Sequence, residues 1–443
     1  MFASARLKLR DLAIVVDEAH SLPRYAVDVF SDEISNISVE RGISEVNKYG
    51  VKGGSFLPSL RKTLMILGRG AKSIHGVGEE YVIGGERLLK PLIRDVGCRS
   101  LEDLTKLLSK LAEEGEKVRI IRLERGERPV SYLYRCSSFI LSWIQLSGKE
   151  YVKYCRFDED GGGREKYIIG MKCLDPSLST KPLSRVKSAV LMSGTLWNVD
   201  YYVEVLGIDK RRIESLILPN PFPPENQLIL VDKGVSTRFE RRGPVEWSKL
   251  ANHLSTILKK VNGRIAVYFP SYDVMWEILR NLNLDEVKIL IEESKTKISD
   301  AKSFLLKNRK CVISGVARGK LSEGVDITFK GRSMLSCVII AGLPYPKKTE
   351  VQEAVLKYFN DKFGEKGFEY AMIMPCVNAV AQSAGRLIRS ERDREIIVLM
   401  DSRVVGRFKN YLPEDWRNRL EPHFKIEKLV EKAKRFMGVE VNS

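Results

Sequence analysis

After Asn226 the chain alternates short apolar runs with helical patterns, and this alternation limits the possible folds more than any other feature. NQLILV, RIAVYF, VKILIEE, CVISG, SCVIIAG and EIIVLMD are continuous runs rich in β-branched residues. Such runs fill strands that are buried on both faces. Between them the apolar spacing predicts helices over 245–260, 274–282, 300–306 and 351–363. Strands alternating with helices specify a parallel sheet covered on both sides, so the fold class is α/β.

Upstream the texture differs. LAIVV (Leu12–Val16) and the run before SGT at Ser193–Thr195 read as two more buried strands. Between about Val27 and Leu146 apolar residues fall at helical spacing with charged faces. Leu101, Leu104, Leu107, Leu108 and Leu111 make one stripe, which is read as a core face. VKYCRFDED and REKYIIGMKCLD flank three glycines and predict a hairpin. Pro219–Asn226 carries four prolines, which excludes helix and central strand and marks a linker. The expected segments are 1–26, a mostly helical 27–150, 151–225, and 226–443. A chain of 443 residues accommodates them at about 100–200 residues per domain.

Lys and Arg total 74 against 57 Asp and Glu, a net charge of +17. That balance favours a polyanionic partner, nucleic acid before an anionic membrane surface. No apolar run reaches the length of about 18 residues that spans a bilayer, and no signal peptide is read at the N-terminus. The expectation is a cytoplasmic protein without a membrane partner. The seven cysteines form no C-x-x-C pair and read as reduced, buried thiols rather than disulfides or a zinc site.

Four stretches carry chemistry. In VVDEAH (Val15–His20), Asp17 and Glu18 close a strand, and ligands of open α/β sheets bind beyond the carboxyl ends of strands. One carboxylate there can hold the Mg²⁺ that bridges nucleotide phosphates, and a second can orient the attacking water. The same pair would equally cap a helix N-terminus. In MSGTL, Ser193, Gly194 and Thr195 follow a strand, either as a sharp turn or as hydroxyls facing a ligand. In GKLSEGVDI (Gly319–Ile327), Glu323, Gly324 and Asp326 suit contact with a phosphate or ribose hydroxyl, or a plain surface loop. In AQSAGRLIRSERD (Ala381–Asp393), Gln382, Arg386 and Arg389 fall at i, i+4 and i+7, one face of a helix. Gly385 there permits close approach of another backbone. Two guanidiniums on one face can clamp a phosphoryl group that is gaining charge.

These stretches, with YFPSY (Tyr268–Tyr272) and GLPYP (Gly342–Pro346), resemble in order the XPD/DinG family of superfamily-two DNA helicases. The resemblance runs from Leu12 to Met400. It implies RecA-like parallel-sheet motor domains: a first one, incomplete here, in 1–26 and 151–225, and a second in 226–443. The helical 27–150 stands where the family carries its Arch insertion. It implies ATP and Mg²⁺ as cofactors, and 5′ to 3′ movement on single-stranded DNA in repair. By residue, Asp17 would hold Mg²⁺ and Glu18 would act on the attacking water. His20 and Gln382 would couple the motor domains, and Ser193, Gly194 and Thr195 would link hydrolysis to movement. Glu323, Gly324 and Asp326 would sense nucleotide state, and Arg386 and Arg389 would be arginine fingers. Tyr268, Phe269, Ser271 and Tyr272 are candidates for contact with DNA, although aromatics at strand ends usually pack in a core.

Two features of the family are missing. No G-x-x-x-x-G-K-[ST] phosphate loop occurs, and no cysteine precedes Cys98, so the family's iron–sulfur cluster has no ligands in the expected place. Three readings follow: a truncated helicase, a split one whose phosphate loop comes from a separate chain, or a relic that binds nucleic acid without turning over ATP. The rival is a non-catalytic nucleic-acid-binding or scaffold protein. An RNA-directed member of the same superfamily is a third.

Overall fold

The computed structural model describes residues 8–159, 163–283, 287–322, 327–385 and 393–438. They form two compact units.

The first unit comprises the chain through Met192, Asp200–Ile213 and Lys347–Phe368. Its helices begin where the sequence caps them. Ser100 accepts from Asp103 N at 3.1 Å to start the Leu101–Glu124 helix, with Glu102 and Asp103 in the first turn, where the helix dipole favours acids. Leu104, Leu108 and Leu111 of the predicted stripe are buried with Phe56, Leu60, Leu64, Leu92, Phe139 and Trp143 in one core. Gly115 lies against Tyr134 so closely that a Cβ would stand 2.4 Å from its backbone nitrogen. Glycine therefore lets this helix meet the Tyr132–Gln145 helix. The latter starts on a buried acid: Glu45 accepts from Tyr132 N at 3.0 Å and Leu133 N at 3.1 Å.

The strands of this unit are β1 (Ala13–Val16), β2 (Asp32–Ser35), β3 (Glu80–Val82), β4 (Tyr151–Glu159), β5 (Glu165–Cys173) and β6 (Ser188–Leu191). The predicted hairpin is present, with β4 and β5 antiparallel from Tyr151↔Cys173 to Glu159↔Glu165. It belongs, however, to a four-stranded sheet in the order β2-β5-β4-β3. Tyr151–Cys173 thus completes the helical block, contrary to the expectation that it joins the remainder of the first motor domain. The alternating apolar pattern was legible, but the partners β2 and β3 are too short to announce themselves.

A second expectation also changes. The Glu350–Phe363 helix was assigned to 226–443, yet it packs in the first unit. Val82 N donates to Glu350 at 2.8 Å, Tyr358 OH donates to Asp175 at 2.8 Å, and Lys362 Nζ donates to Asp175 at 2.7 Å. Burial pushes the Asp175 carboxyl up, but the bonds from Lys362, Ser177 and Tyr358 outweigh it and hold the group below its ordinary range.

β1 and β6 form a parallel pair, extended by Met192 N to Val16 O at 2.9 Å and by Ala19 N to Met192 O at 3.0 Å. Both were expected to be buried on two faces, and neither is. Val15 is 65% exposed, Val190 52% and Met192 46%. The sheet has two strands among the described residues, too few to cover either face.

The second unit comprises Ser193–Val199, Glu214–Pro346 and Glu369 onward. Its strands are β7 (Gln227–Asp232), β8 (Arg264–Phe269), β9 (Lys288–Ile291), β10 (Cys311–Val316), the short pair β11 (Thr328–Phe329) and β12 (Arg332–Ser333), then β13 (Cys337–Ile340), β14 (Glu395–Leu399) and β15 (Leu420–His423). Seven of them form one parallel sheet in the order β15-β7-β14-β13-β8-β10-β9. Alternate side chains enter opposite cores. Ile265, Val267 and Phe269 join Leu250 and Leu254 on one face; Ala266 and Tyr268 join Ala301, Val377 and Val380 on the other. This is the doubly covered parallel sheet that the sequence specifies. Pro219–Asn226 contains no α-helix or strand, only a tight turn at Pro224–Asn226.

Candidate nucleotide and nucleic-acid sites

In the first unit β1 delivers Asp17 and Glu18 to its carboxyl end. Glu18 has φ +51°, a left-handed conformation that costs a non-glycine residue on the order of 1 kcal/mol or more. The surroundings impose it. Asp17 Oδ1 accepts from Glu18 N at 2.8 Å, Ser21 Oγ donates to Glu18 O at 2.8 Å, and Ala19 N is tied to Met192 O. The carboxylates do not cap a helix: the Leu22–Val29 helix starts at Ser21, with no side-chain cap and a proline in its first turn. Both acids are exposed. His20 Nδ1 stands 3.1 Å from Glu18 Oε2, so the structure brings these two together. An exposed pair of carboxylates fits Mg²⁺, which takes one or two protein carboxylates and completes its shell with water and phosphate oxygens.

Ser193–Val199 belongs to the second unit. Ser193 Oγ and Thr195 Oγ1 lie 3.2 Å apart, and Thr195 N donates to Ser193 Oγ at 3.3 Å. Trp197 Nε1 and Asn198 Nδ2 both donate to the Tyr411 carbonyl, at 2.9 and 3.1 Å. Gly194 is outside the left-handed region and a Cβ there would meet nothing within 4 Å. The described backbone therefore does not itself demand glycine.

At the carboxyl edge of the seven-stranded sheet, YFPSY is mostly structural. Tyr268 and Phe269 are buried, and Tyr268 OH donates to Leu321 O at 2.8 Å. Both are core residues, which corrects their candidacy as base-stacking surfaces. Ser271 caps the Tyr272–Arg280 helix by accepting from Val274 N at 3.3 Å. Tyr272 is exposed on one side and donates to Glu292 Oε1 at 2.7 Å. Burial, reinforced by that bond, pushes its hydroxyl up to about 12.

Glu292 was missed by sequence reasoning. It follows β9 and is 1% exposed. It also accepts from Lys320 N at 3.1 Å and Leu321 N at 3.0 Å. Gly315 and Gly319 make room for it, since a Cβ at either would stand 2.4 or 2.5 Å from its carboxylate oxygens. One buried acid thus fixes the start of GKLSEGVDI against YFPSY. The available signal was a charged residue directly after the apolar run of VKILIEE. Glu323, Gly324 and Asp326 lie outside the described residues.

Gln382 is half-buried on the Met374–Ala384 helix. Arg386 and Arg389, expected to share a face with Gln382, lie outside the described residues. Gly385 is exposed, and among the described residues a Cβ there would meet only the Ala381 carbonyl of its own helix. Between β7 and β14, Asp401 organises a buried network. It accepts from Thr237 N at 3.0 Å, Ser236 Oγ at 3.1 Å and Arg403 Nη2 at 2.7 Å. Burial pushes the Asp401 carboxyl up, and these bonds, Arg403 foremost, more than reverse the effect.

The cysteines do not fit an iron–sulfur cluster. Among the described residues no group of three or more His, Cys, Asp or Glu side chains could hold a metal ion. Burial pushes Cys136 and Cys155 up to about 12, the state of inert thiols. No helix among the described residues is long and apolar enough to cross a membrane.

Residues 254–419 match the helicase C-terminal domain family and residues 62–241 the helical and beta-bridge domain family. The ATP-dependent DNA helicase XPD of Sulfolobus acidocaldarius is 25% identical over 405 residues, covering 90% of this chain and 66% of that protein. The general transcription and DNA repair factor IIH helicase subunit XPD of Schizosaccharomyces pombe is 30% identical over 261 residues, 53% of this chain and 33% of that protein. The chain therefore spans between a third and two thirds of the length of these relatives. Among solved structures, an XPD helicase superposes with a TM-score of 0.64 at 21% identity, over 94% of this chain and 69% of that one. Xpd4 of S. tokodaii gives 0.64 at 17% identity, over 94% of this chain and 77% of that one. These likenesses establish the fold. Together with the two domain matches, the curated relatives make the chain similar to XPD helicases over most of its length.

Proposed function

We propose that this protein is the greater part of an ATP-dependent DNA helicase that moves 5′ to 3′ along single-stranded DNA and serves DNA repair. The observation that carries the reading is the Asp17–Glu18 corner. Two exposed carboxylates stand at the carboxyl end of a parallel strand, on a backbone held in a strained turn that no helix cap explains. Asp17 holds Mg²⁺, which when bound neutralises phosphate charge and orients the nucleotide. Glu18 positions and deprotonates the attacking water, and His20 orients Glu18 through their 3.1 Å contact. Gln382, Ser193 and Thr195 couple nucleotide state to movement. Arg386 and Arg389 stabilise the charge that develops on the transferred phosphoryl group. Glu323, Gly324 and Asp326 respond to the nucleotide.

The sequence contains no phosphate-binding loop. The exposed Val15, Val190 and Met192 support the view that further parallel strands pack on β1 and β6 in the working protein and bring that loop. They come from a separate chain or from further sequence of the same protein. The absent loop equally supports a second reading, a helicase-derived scaffold that binds nucleic acid without hydrolysing ATP.

Strand displacement separates them. On duplexes with a 5′ or a 3′ single-stranded tail, the helicase reading expects ATP-dependent displacement from the 5′-tailed substrate. Tight binding to both without displacement, in the presence of a phosphate-loop polypeptide, supports the scaffold.

A further inference from the structure

Tyr268 and Phe269 are core residues, which leaves Tyr272 as the one exposed aromatic of YFPSY. The loop between β7 and the Pro244–Lys260 helix offers another. Phe239 is 73% exposed at the carboxyl edge of the sheet. The Arg242 guanidinium lies over its ring, 5.7 Å from the centroid. Three neighbouring arginines have an acid: Arg238 with Glu240 at 2.9 Å, Arg241 with Glu246 at 2.8 Å, and Arg403 with Asp401 at 2.7 Å. Arg242 is solvent-exposed and has none within 4.0 Å among the described residues; it donates Nε to the Thr237 carbonyl at 3.1 Å. Burial pushes the Arg242 guanidinium down, and the charge of Arg403 adds to this, against an opposing pull from Asp273. An accessible guanidinium with no acid beside it can take an anion.

The loop is also held in place. Asp401 grips Ser236 and Thr237, Arg238 N donates to Ser236 Oγ at 3.2 Å, and Arg242 N donates to Phe239 O at 3.1 Å. Gly342, at φ +104°, lets Thr237 sit where a Cβ would be 2.2 Å from its methyl group. An exposed ring beside an uncompensated guanidinium, on a rigid support, matches a repeating unit that offers a flat base next to a phosphate.

We infer that Phe239 and Arg242 form a contact for one nucleotide of a single strand, with the base stacked on Phe239 and its phosphate against Arg242. The inference rests on the single-strand reading above and names residues that reading does not. An acidic peptide would satisfy Arg242 but would gain nothing from Phe239.

The test is fluorescence anisotropy with a labelled oligothymidylate and an abasic phosphodiester of equal length, titrated with salt. Phe239→Ala is expected to weaken oligothymidylate binding about tenfold and to leave the abasic strand unchanged. Arg242→Gln is expected to weaken both and to flatten the log–log salt slope by about 0.7, the value for one single-strand phosphate. Arg242→Lys, with its thermal melting point, separates loss of the contact from loss of the fold: it should keep the slope. Wild-type affinity and slope in both Phe239→Ala and Arg242→Gln overturn the inference while leaving the helicase reading standing. Polyglutamate of matched charge competing as well as oligothymidylate overturns it in favour of an acidic protein partner. A wild-type protein that binds no single strand sinks the helicase reading and the inference together.

Discussion

The two parallel sheets of this molecule are built from the same kind of sequence and end in different states. LAIVV and SAVL are as apolar and β-branched as RIAVYF and CVISG. The second pair lies in a seven-stranded sheet with buried side chains on both faces. The first pair forms a two-stranded sheet in which Val15 and Val190 stand in solvent. Burial is thus a property of neighbours and not of a strand. The contrast also divides the work: the large sheet carries its own core, whereas the small sheet carries the Asp17–Glu18 corner on strands with exposed side chains.

The comparison can be broken from either side, and the largest expected effect is catalytic. Arg389→Ala should lower ATP turnover by about 10³-fold or more in a protein that turns over ATP, the scale of an arginine finger. Its melting temperature should not move. Next comes the core of the large sheet. Ile339→Ala should cost about 2–5 kcal/mol in denaturant unfolding, since Ile339 is fully buried on β13. Val15→Ala, on β1, should stay within about 0.5 kcal/mol. Comparable losses in both would mean that β1 is covered after all.

Glu395 gives a pH test of the large sheet. Burial raises its folded pKa from 4.5 to about 7, against the opposing bond from Gln227 and the charge of Arg419. The folded state then holds a proton that the unfolded chain has lost. Stability should fall as pH rises from 4.5 towards about 7 and level off above it. Glu395→Gln should remove that slope and be more stable than wild type at pH 8, which unfolding curves across pH will read. The smaller effects lie in the loop that Glu292 fixes. Glu292→Gln leaves one backbone amide of Lys320 or Leu321 without an acceptor and should cost about 1–3 kcal/mol. Tyr272→Phe removes one bond and should cost about 0.5–1.5 kcal/mol.

Periodic features were legible in the sequence. The β4–β5 hairpin, the parallel order implied by alternation and most of the leucine stripe depend on local pattern, and the structure contains them; Leu104, Leu108 and Leu111 are buried and Leu107 partly so, whereas Leu101 at the helix start is exposed. Long-range partners were not legible. Tyr358 and Asp175, which hold the Glu350–Phe363 helix in the first unit, are 183 residues apart in the chain. Glu292 looked like one surface acid among many, and its role depends on two loops folding onto it. At the candidate site, the strand pattern placed Asp17 and Glu18 at the end of β1, but the contact between His20 and Glu18 was not legible. The aromatics of YFPSY divided by burial, which no spacing rule could have separated.

The most direct measurement is ATP hydrolysis with and without a single-stranded oligonucleotide. It would be made on this protein alone and combined with a polypeptide that carries a phosphate-binding loop. The account predicts strand-stimulated turnover once a phosphate-binding loop is present, and its loss in both Glu18→Gln and Arg389→Ala. Single-strand binding without turnover in either preparation would contradict it.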